Sequence, residues 1–235
     1  MSQNENIPKH IAVIIDGNGR WAIKRGENRS YGHRIGTQVV FDIAKAAASR
    51  GISYLTVYAL SIDNLKRPKE EVDYLIGLFQ NSMDEETILK NNIRFRFLGK
   101  KEMLPERLVT YLLELEKRTA EATGMVFTLC VCYSAKWELT EAVKRLYKDI
   151  ADKSSDISAI EKEDIARCMP SSFLPDPDLI IRSGGEKRLS DFMLWQASYS
   201  ELYFTETLWP DFTSDDLNKA IRFYQNRDRR YGNIN

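Results

Sequence analysis

Ile11–Ile15, Tyr54–Leu60 and Met125–Cys132 are short apolar runs with almost no polar alternation. That pattern suits strands buried on both faces, as in a parallel sheet, and not strands with one wet side. Long amphipathic stretches separate them. One is predicted as a helix over 34–50, with Val40, Ile43, Ala44 and Ala47 on one stripe and Gly51 at its end. A second runs from 69 into the low 90s, with Pro68 suited to its first turn and Val72, Leu75, Ile76, Leu78 and Phe79 as its apolar positions. A third opens at Pro105 and carries Leu108, Leu112 and Leu115; two more are expected over 137–150 and 214–224. Ile93–Leu98 alternates charged and apolar residues, as a half-buried or edge strand does, and 178–181 is a further strand. Residues 151–163 read as a polar surface connection, 202–204 as a short apolar-aromatic stretch, and 1–8 as a frayed, polar N-terminus. Strands alternating with helices predict an α/β domain spanning 1–235, with a mostly parallel central sheet flanked by helices.

In such sheets ligands bind outside the carboxyl ends of the strands. Three polar loops follow strand ends, at 16–20, 61–67 and 182–191, and are expected to converge on one site. In the first, Asp16 is followed by Gly17, Asn18, Gly19 and Arg20, and then by Lys24, Arg25, Arg29, His33 and Arg34. Glycines let backbone N–H groups approach phosphate oxygens, and arginines fork onto them. Asp16 would repel a phosphate directly, but suits a divalent cation bridging carboxylate and phosphate. The plainer reading is an aspartate capping a turn beside a solvated basic face. The loop Arg182–Ser190 repeats the pattern with two arginines, a glycine pair and a serine hydroxyl. Two anion cradles and one carboxylate suggest two phosphorylated substrates held against each other.

Gly17-Asn18-Gly19-Arg20-Trp21-Ala22 also matches G-x-G-x-x-A, but the acidic residue a dinucleotide site needs about 20 positions on is missing. This disfavours a nucleotide-dependent oxidoreductase. Lys and Arg total 34 and Asp and Glu 34, so no global basic field points to nucleic acid. The three cysteines have no framework spacing, which favours reduced thiols in a cytosolic protein. No signal-peptide core is present, and no apolar run approaches the roughly 18 residues of a membrane span. His10 begins a strand and reads as structural. His33, among basic residues, is the better candidate for phosphate contact or proton handling. The apolar residues from Val72 to Phe79 are either core or the wall of a lipid cleft.

HIAVIIDGNGRWA (10–22) resembles the H-x-x-x-I-M-D-G-N-G-R-W-A signature of the cis-prenyltransferases of the undecaprenyl diphosphate synthase family, with Ile15 where Met is usual. RSGGEKRLSDFMLWQASYSELYFTETLWPDF (182–212) resembles the family's second signature, and the C-terminal RDRRYG also fits. The resemblance covers His10 to Gly232. It implies a hydrophobic tunnel enclosed by the sheet and helices, a homodimer, and a Mg²⁺-dependent enzyme. That enzyme would add isopentenyl diphosphate to an allylic diphosphate, typically farnesyl diphosphate, making a long cis-polyprenyl diphosphate such as undecaprenyl diphosphate. The enzyme would be cytoplasmic, peripheral at the membrane that receives its lipid product. By motif position, Asp16 binds Mg²⁺ and assists departure of diphosphate, with Glu201 supporting the metal across the dimer interface. Gly17, Gly19, Arg20, Trp21, Arg29, His33 and Arg67 frame the allylic diphosphate. Asn18 is a proton-transfer candidate, and Ser61, Asn64, Arg67 and Glu71 match the loop that closes over substrate. Arg182, Arg188 and Ser190 hold isopentenyl diphosphate.

The departures from the pattern are local. S-x-E-N-W appears as Ser61-Ile62-Asp63-Asn64-Leu65, N-Y-G-G-R as Cys132-Tyr133-Ser134-Ala135-Lys136, and Asp191 replaces the Asn after Ser190. No role is carried onto Cys132 or Lys136. The alternatives are a shorter-chain or specialised synthase, and a non-catalytic accessory subunit, which would have no need of Asp16 and its arginines.

Overall fold

The computed structural model describes residues 6–153 and 157–228. Six strands form one sheet: β1 (His10–Ile14), β2 (Tyr54–Ser61), β3 (Arg94–Leu98), β4 (Val126–Tyr133), β5 (Leu179–Arg182) and β6 (Glu201–Phe204). Their order is β3-β4-β2-β1-β5-β6, and every neighbouring pair is parallel. The chain crosses between strands through α1 (Asn18–Ile23), α2 (Arg29–Ser49), α3 (Lys69–Asn81), α4 (Glu85–Lys90), α5 (Glu106–Arg118), α6 (Ala135–Lys153) and α7 (Lys162–Cys168), and α8 (Ser214–Gln225) follows the last strand.

The apolar runs became interior strands because both faces are covered. Ile11 and Val13 of β1 pack with Phe41, Phe127, Leu179 and Trp209 on one side. Ala12 and Ile14 pack with Tyr58, Tyr133, Ile180 and Phe192 on the other. β3, the alternating run, is an edge strand, as its charge pattern predicts. His10 is fully buried: its Nδ1 donates to the Pro175 carbonyl at 2.7 Å and its Nε2 accepts from Thr56 Oγ1 at 2.9 Å. Burial pushes its pKa down to about 4, against the pull of Pro175 and Asp178, so it is a neutral structural histidine. Cys130, Cys132 and Cys168 are all unpaired and buried.

Local caps moved several boundaries. The helix expected from 69 into the low 90s is two helices, because Asp84 accepts from the Thr87 N–H at 2.9 Å and starts α4 afresh. α2 begins at Arg29 and not near 34, since Asn28 accepts from the Tyr31 N–H at 2.9 Å. The polar stretch 151–163 contains the end of α6, a 3₁₀ turn at Ile157–Ala159 and the start of α7, the last with a capping box from Glu161 and Asp164. Residues 202–204 belong to an edge strand. Residues 1–5 of the expected frayed N-terminus and 229–232 of the basic tail lie outside the described residues.

Candidate active site

β1 lies between β2 and β5, so the loops leaving these three strands meet at one end of the sheet. They enclose a cleft of about 260 Å³ lined by Asp16, Asn18, His33, Ser61, Asn64, Arg67, Arg182, Arg188 and Ser190. The convergence expected of the three loops is therefore present. The chain leaves β1 through Gly17, whose φ of 105° is left-handed and whose Cβ, if present, would lie 2.7 Å from Leu208 Cδ2. α1 starts directly after it, so Asn18 sits in the first turn of a helix.

Asp16 is the hinge of the site. Its Oδ2 accepts from Arg182 Nη2 at 2.9 Å and its Oδ1 from Arg20 Nη2 at 3.0 Å. Ser183 Oγ accepts from the Asp16 N–H at 2.9 Å and donates to the Asp16 carbonyl at 2.8 Å. Partial burial alone would raise the Asp16 pKa, but the hydrogen bonds from Arg182 and Arg20 outweigh it and hold the carboxyl below its ordinary value. Arg182 reaches across the cleft, donating from Nη1 to Ser190 Oγ at 2.7 Å and to the Arg188 carbonyl at 2.5 Å. Arg188 itself pairs with Glu186 on the rim.

A second cluster forms on the opposite wall. Glu71 accepts from Arg29 Nε at 3.3 Å and Arg67 Nη1 at 3.1 Å, with His33 Nε2 at 3.7 Å. Burial, then the positive charges of Arg67 and Arg29, drive the His33 pKa down to about 4, although Glu71 pulls it up. Ser61 and Asn64 close a capping box on the 3₁₀ turn Ile62–Lys66 and face the cleft. Gly19, buried in α1, leaves room for the Arg29 guanidinium, whose Cζ would lie 2.7 Å from a Cβ there.

Behind the cleft the tunnel expected from the resemblance is a narrow apolar cavity of about 40 Å³, lined by Val40, Phe41, Leu75, Leu78, Phe79, Met83 and Leu129. It shares Ile15, Asn18, His33, Ala59 and Leu75 with the cleft, so the two adjoin across these side chains. Of the α3 residues singled out, Leu75, Leu78 and Phe79 face this cavity; Val72 and Ile76 are not among its lining.

Two expected residues are not brought in. Trp21 donates from Nε1 to Asp211 at 2.6 Å, lies under Arg25 with Cζ 4.0 Å from the ring centroid, and fastens α1 to the chain near Trp209. Glu201 opens β6 opposite Leu179, three residues or about 10 Å below the level of Arg182, and accepts from Arg227 Nε at 3.0 Å. Within one chain it is not near Asp16. Two residues that were not predicted belong to the site: Ser183, and Tyr58, whose hydroxyl donates to the Tyr133 and Ser190 carbonyls at 3.2 and 3.4 Å. Ser183 follows the end of β5, which was an available signal; Tyr58 lies inside β2 and reaches the site only because the register sets it beside Ile14, the last residue of β1.

Comparison with known proteins agrees with this geometry. The profile of the prenyltransferase (undecaprenyl diphosphate synthase) family matches residues 14–232. An isoprenyl transferase of Clostridium tetani is 42% identical over 232 residues, covering 98% of this chain and 91% of the relative. A ditrans,polycis-undecaprenyl-diphosphate synthase ((2E,6E)-farnesyl-diphosphate specific) of Vibrio vulnificus is 42% identical over 230 residues, 97% and 92% of the two chains. The crystal structure of lavandulyl diphosphate synthase from Lavandula x intermedia, in complex with dimethylallyl diphosphate, superposes with a TM-score of 0.90 at 33% identity, covering 97% of this chain and 99% of that one. The chain belongs to the prenyltransferase (undecaprenyl diphosphate synthase) family.

Proposed function

We propose that this prenyltransferase joins isopentenyl diphosphate to an allylic diphosphate of the farnesyl type, in repeated cycles, to give a long cis-polyprenyl diphosphate. One observation carries the site assignment. Among the described residues, six buried side-chain polar atoms lack a hydrogen-bond partner, and three of them belong to residues that line one cleft: Asn18 Oδ1, His33 Nε2, which has only the longer 3.7 Å approach to Glu71, and Arg182 Nε. Buried polar groups are otherwise satisfied, so their gathering at one place points to a polar ligand.

The allylic diphosphate would lie between Gly17–Arg20 and the Arg29, His33 and Arg67 cluster, with its hydrocarbon entering the apolar cavity. Isopentenyl diphosphate would be held by Arg182, Arg188 and Ser190. The allylic C1–O bond breaks, and diphosphate leaves with the electron pair. The isopentenyl double bond supplies the new C–C bond, and loss of a proton restores an alkene. Asn18, between cleft and cavity, would guide that proton, and Ser61 and Asn64 would order the loop over the substrate. Arginine side chains stabilise the charge gathering on the leaving group.

The donor set also fits Mg²⁺. Asp16 is ionised, is the one carboxylate lining the cleft among the described residues, and faces cations placed for phosphates. Mg²⁺ commonly binds through one or two carboxylates plus substrate phosphates and water. Bound there, it would supply charge neutralisation for the departing diphosphate. A homodimer is supported by exposed Leu139, Val143 and Tyr147 on one face of α6, and by exposed Leu202 beside Glu201 on the β6 edge. In that dimer Glu201 would serve the partner's site. Product release would occur at the membrane.

Incubation with farnesyl diphosphate and labelled isopentenyl diphosphate, with and without Mg²⁺, tests the reading. Label is expected in the organic phase only when metal is present; label confined to the aqueous phase would overturn it. A second reading, a shorter product, is favoured by the roughly 40 Å³ of free apolar space, close to that of one water. The chain length of the extracted product decides between them.

A further inference from the structure

Ser190, Asp191 and Met193 all have left-handed backbone, with φ of 49°, 63° and 45°. None is glycine, and such conformations persist at a site only where the surroundings hold them. For Ser190 the conformation aims Oγ at Arg182 Nη1, 2.7 Å away, while its carbonyl accepts from Tyr58 at 3.4 Å. The neighbouring Asp191 does not line the cleft. Its carboxylate is spent on the first turn of α6. Ser134 Oγ donates to Oδ2, the Lys136 N–H donates to Oδ1 at 3.2 Å, and the Ala135 N–H donates to the Asp191 carbonyl at 2.8 Å. Ser134 Oγ in turn accepts from the Trp137 N–H at 3.2 Å. An anion at the start of the long helix α6 is favoured by orphan N–H groups and by the helix dipole.

Two departures from the family pattern, Ser134 for Gly and Asp191 for Asn, thus supply each other's partner across 57 positions. They also give the added negative charge a place: it faces a helix N-terminus, not the cleft.

We infer that Asp191 is a positioning residue: clamped to the N-terminus of α6 by Ser134 and two backbone amides, it holds Ser190 in the left-handed conformation that presents its hydroxyl to the second diphosphate. The inference rests on the proposal that Arg182, Arg188 and Ser190 bind isopentenyl diphosphate. A bare helix cap would affect stability and the amount of active enzyme, whereas a positioning residue changes affinity for one substrate.

Steady-state kinetics of the full chain separate these. Asp191→Ala is expected to raise KM for isopentenyl diphosphate about tenfold, the scale of one lost hydrogen bond from the Ser190 hydroxyl. Its kcat should stay within about threefold, and KM for the allylic substrate should not move. Asp191→Asn should recover most of the loss, because a carboxamide still accepts from Lys136 N–H and donates to Ser134. Ser134→Ala should shift the same KM in the same direction by a smaller factor. If Asp191→Ala fails to fold, Asn and Ser134→Ala carry the test. Ser190→Ala is the internal control. If Ser190→Ala raises KM for isopentenyl diphosphate and the Asp191 and Ser134 variants do not, or if those variants change only the fraction of folded enzyme, the positioning role is wrong. If Ser190→Ala leaves that KM unmoved, the underlying placement of the substrate fails, and with it the inference.

Discussion

Asp16→Ala removes an acceptor from the best-buried charge in the cleft. The Arg182 side chain is 5% exposed, and its bond to Asp16 at 2.9 Å is one of three that its two terminal nitrogens make, the others going to Ser190 Oγ and the Arg188 carbonyl. Breaking a buried pair by deleting one partner costs about 3–5 kcal/mol. Here the cost is reduced, because Asp16 is 28% exposed and water can reach the gap, while Arg182 keeps two neutral acceptors. Arg20, 44% exposed, adds only about 0.5 kcal/mol. The expected loss is therefore about 2–3 kcal/mol. Asp16→Asn keeps one acceptor oxygen and should lose about half of that. Equilibrium urea denaturation of both variants against the parent measures it. The Asp16 pKa is depressed in the folded state, so its contribution is present above the ordinary carboxylate value and is lost as pH falls through the folded one. The gap between parent and Asp16→Ala should thus be constant from about pH 8 to pH 5. Turnover should fall at least about a thousandfold in both variants, if charge stabilisation of the leaving group depends on this carboxylate. A variant as stable as the parent within about 0.5 kcal/mol at pH 7 would show that the Arg182 pair is not the strut described here.

His10 and His33 are both held near a pKa of about 4, so the unfolded chain takes up protons first as pH falls, and stability should drop between about pH 6.5 and 4 by up to roughly 3 kcal/mol for each histidine. Urea midpoints measured across that range check it, and a flat profile would mean that neither ring is as dry as it looks. Gly36→Ala would push a Cβ onto Asn18 Oδ1 and to within 3.0 Å of Trp209 Cδ1. The gain in helix propensity of about 1 kcal/mol should be cancelled by overpacking, and turnover should fall because the Asn18 carboxamide is driven off its position; parent-like kcat would remove Asn18 from the reaction. Phe79→Ala, at the half-buried wall of the apolar cavity, should cost about 2 kcal/mol and lengthen the extracted polyprenyl product. Unchanged chain length by thin-layer chromatography would mean that this cavity is not the product channel.

The sheet was legible because its signal is local: an apolar run such as Met125–Cys132 cannot face water on either side, and β4 is buried almost throughout. Asp84 and Asn28 were equally local signals, but a cap competes with a continuing apolar stripe, and the stripe over 72–88 hid the break. β6 escaped because Leu202–Phe204 is too short to show a period; only pairing with β5 makes it a strand. The site was legible to the extent that it follows strand ends. Asp16, Ser61 and Arg182 each lie at or just past the end of a strand, and adjacency of β2, β1 and β5 does the rest. Glu201 and Trp21 could not be placed that way, since the first depends on the β5–β6 register and the second on a bond to a residue 190 positions away.

Both of the proposed diphosphate cradles are closed on carboxylates of the chain itself. Asp16 pairs with Arg182 and Arg20, and Glu71 with Arg29 and Arg67, so each carboxylate offsets one of the two positive charges it faces. Four clustered guanidinium groups would otherwise repel one another and expand the cleft. The arrangement makes substrate binding an exchange. On the Glu71 side a phosphate must displace a carboxylate that stands beside three cationic or protonatable groups, Arg29, His33 and Arg67. Glu71 lies in the first turn of α3, and Leu75, Leu78 and Phe79 of the same helix form one wall of the apolar cavity, so a shift of α3 on release of Glu71 would widen it. Arrival of a diphosphate at the proposed cradle and room for its hydrocarbon tail would then be coupled through α3. The paired cradle and the narrow cavity are then two consequences of one position of α3, and a shift of that helix would change both.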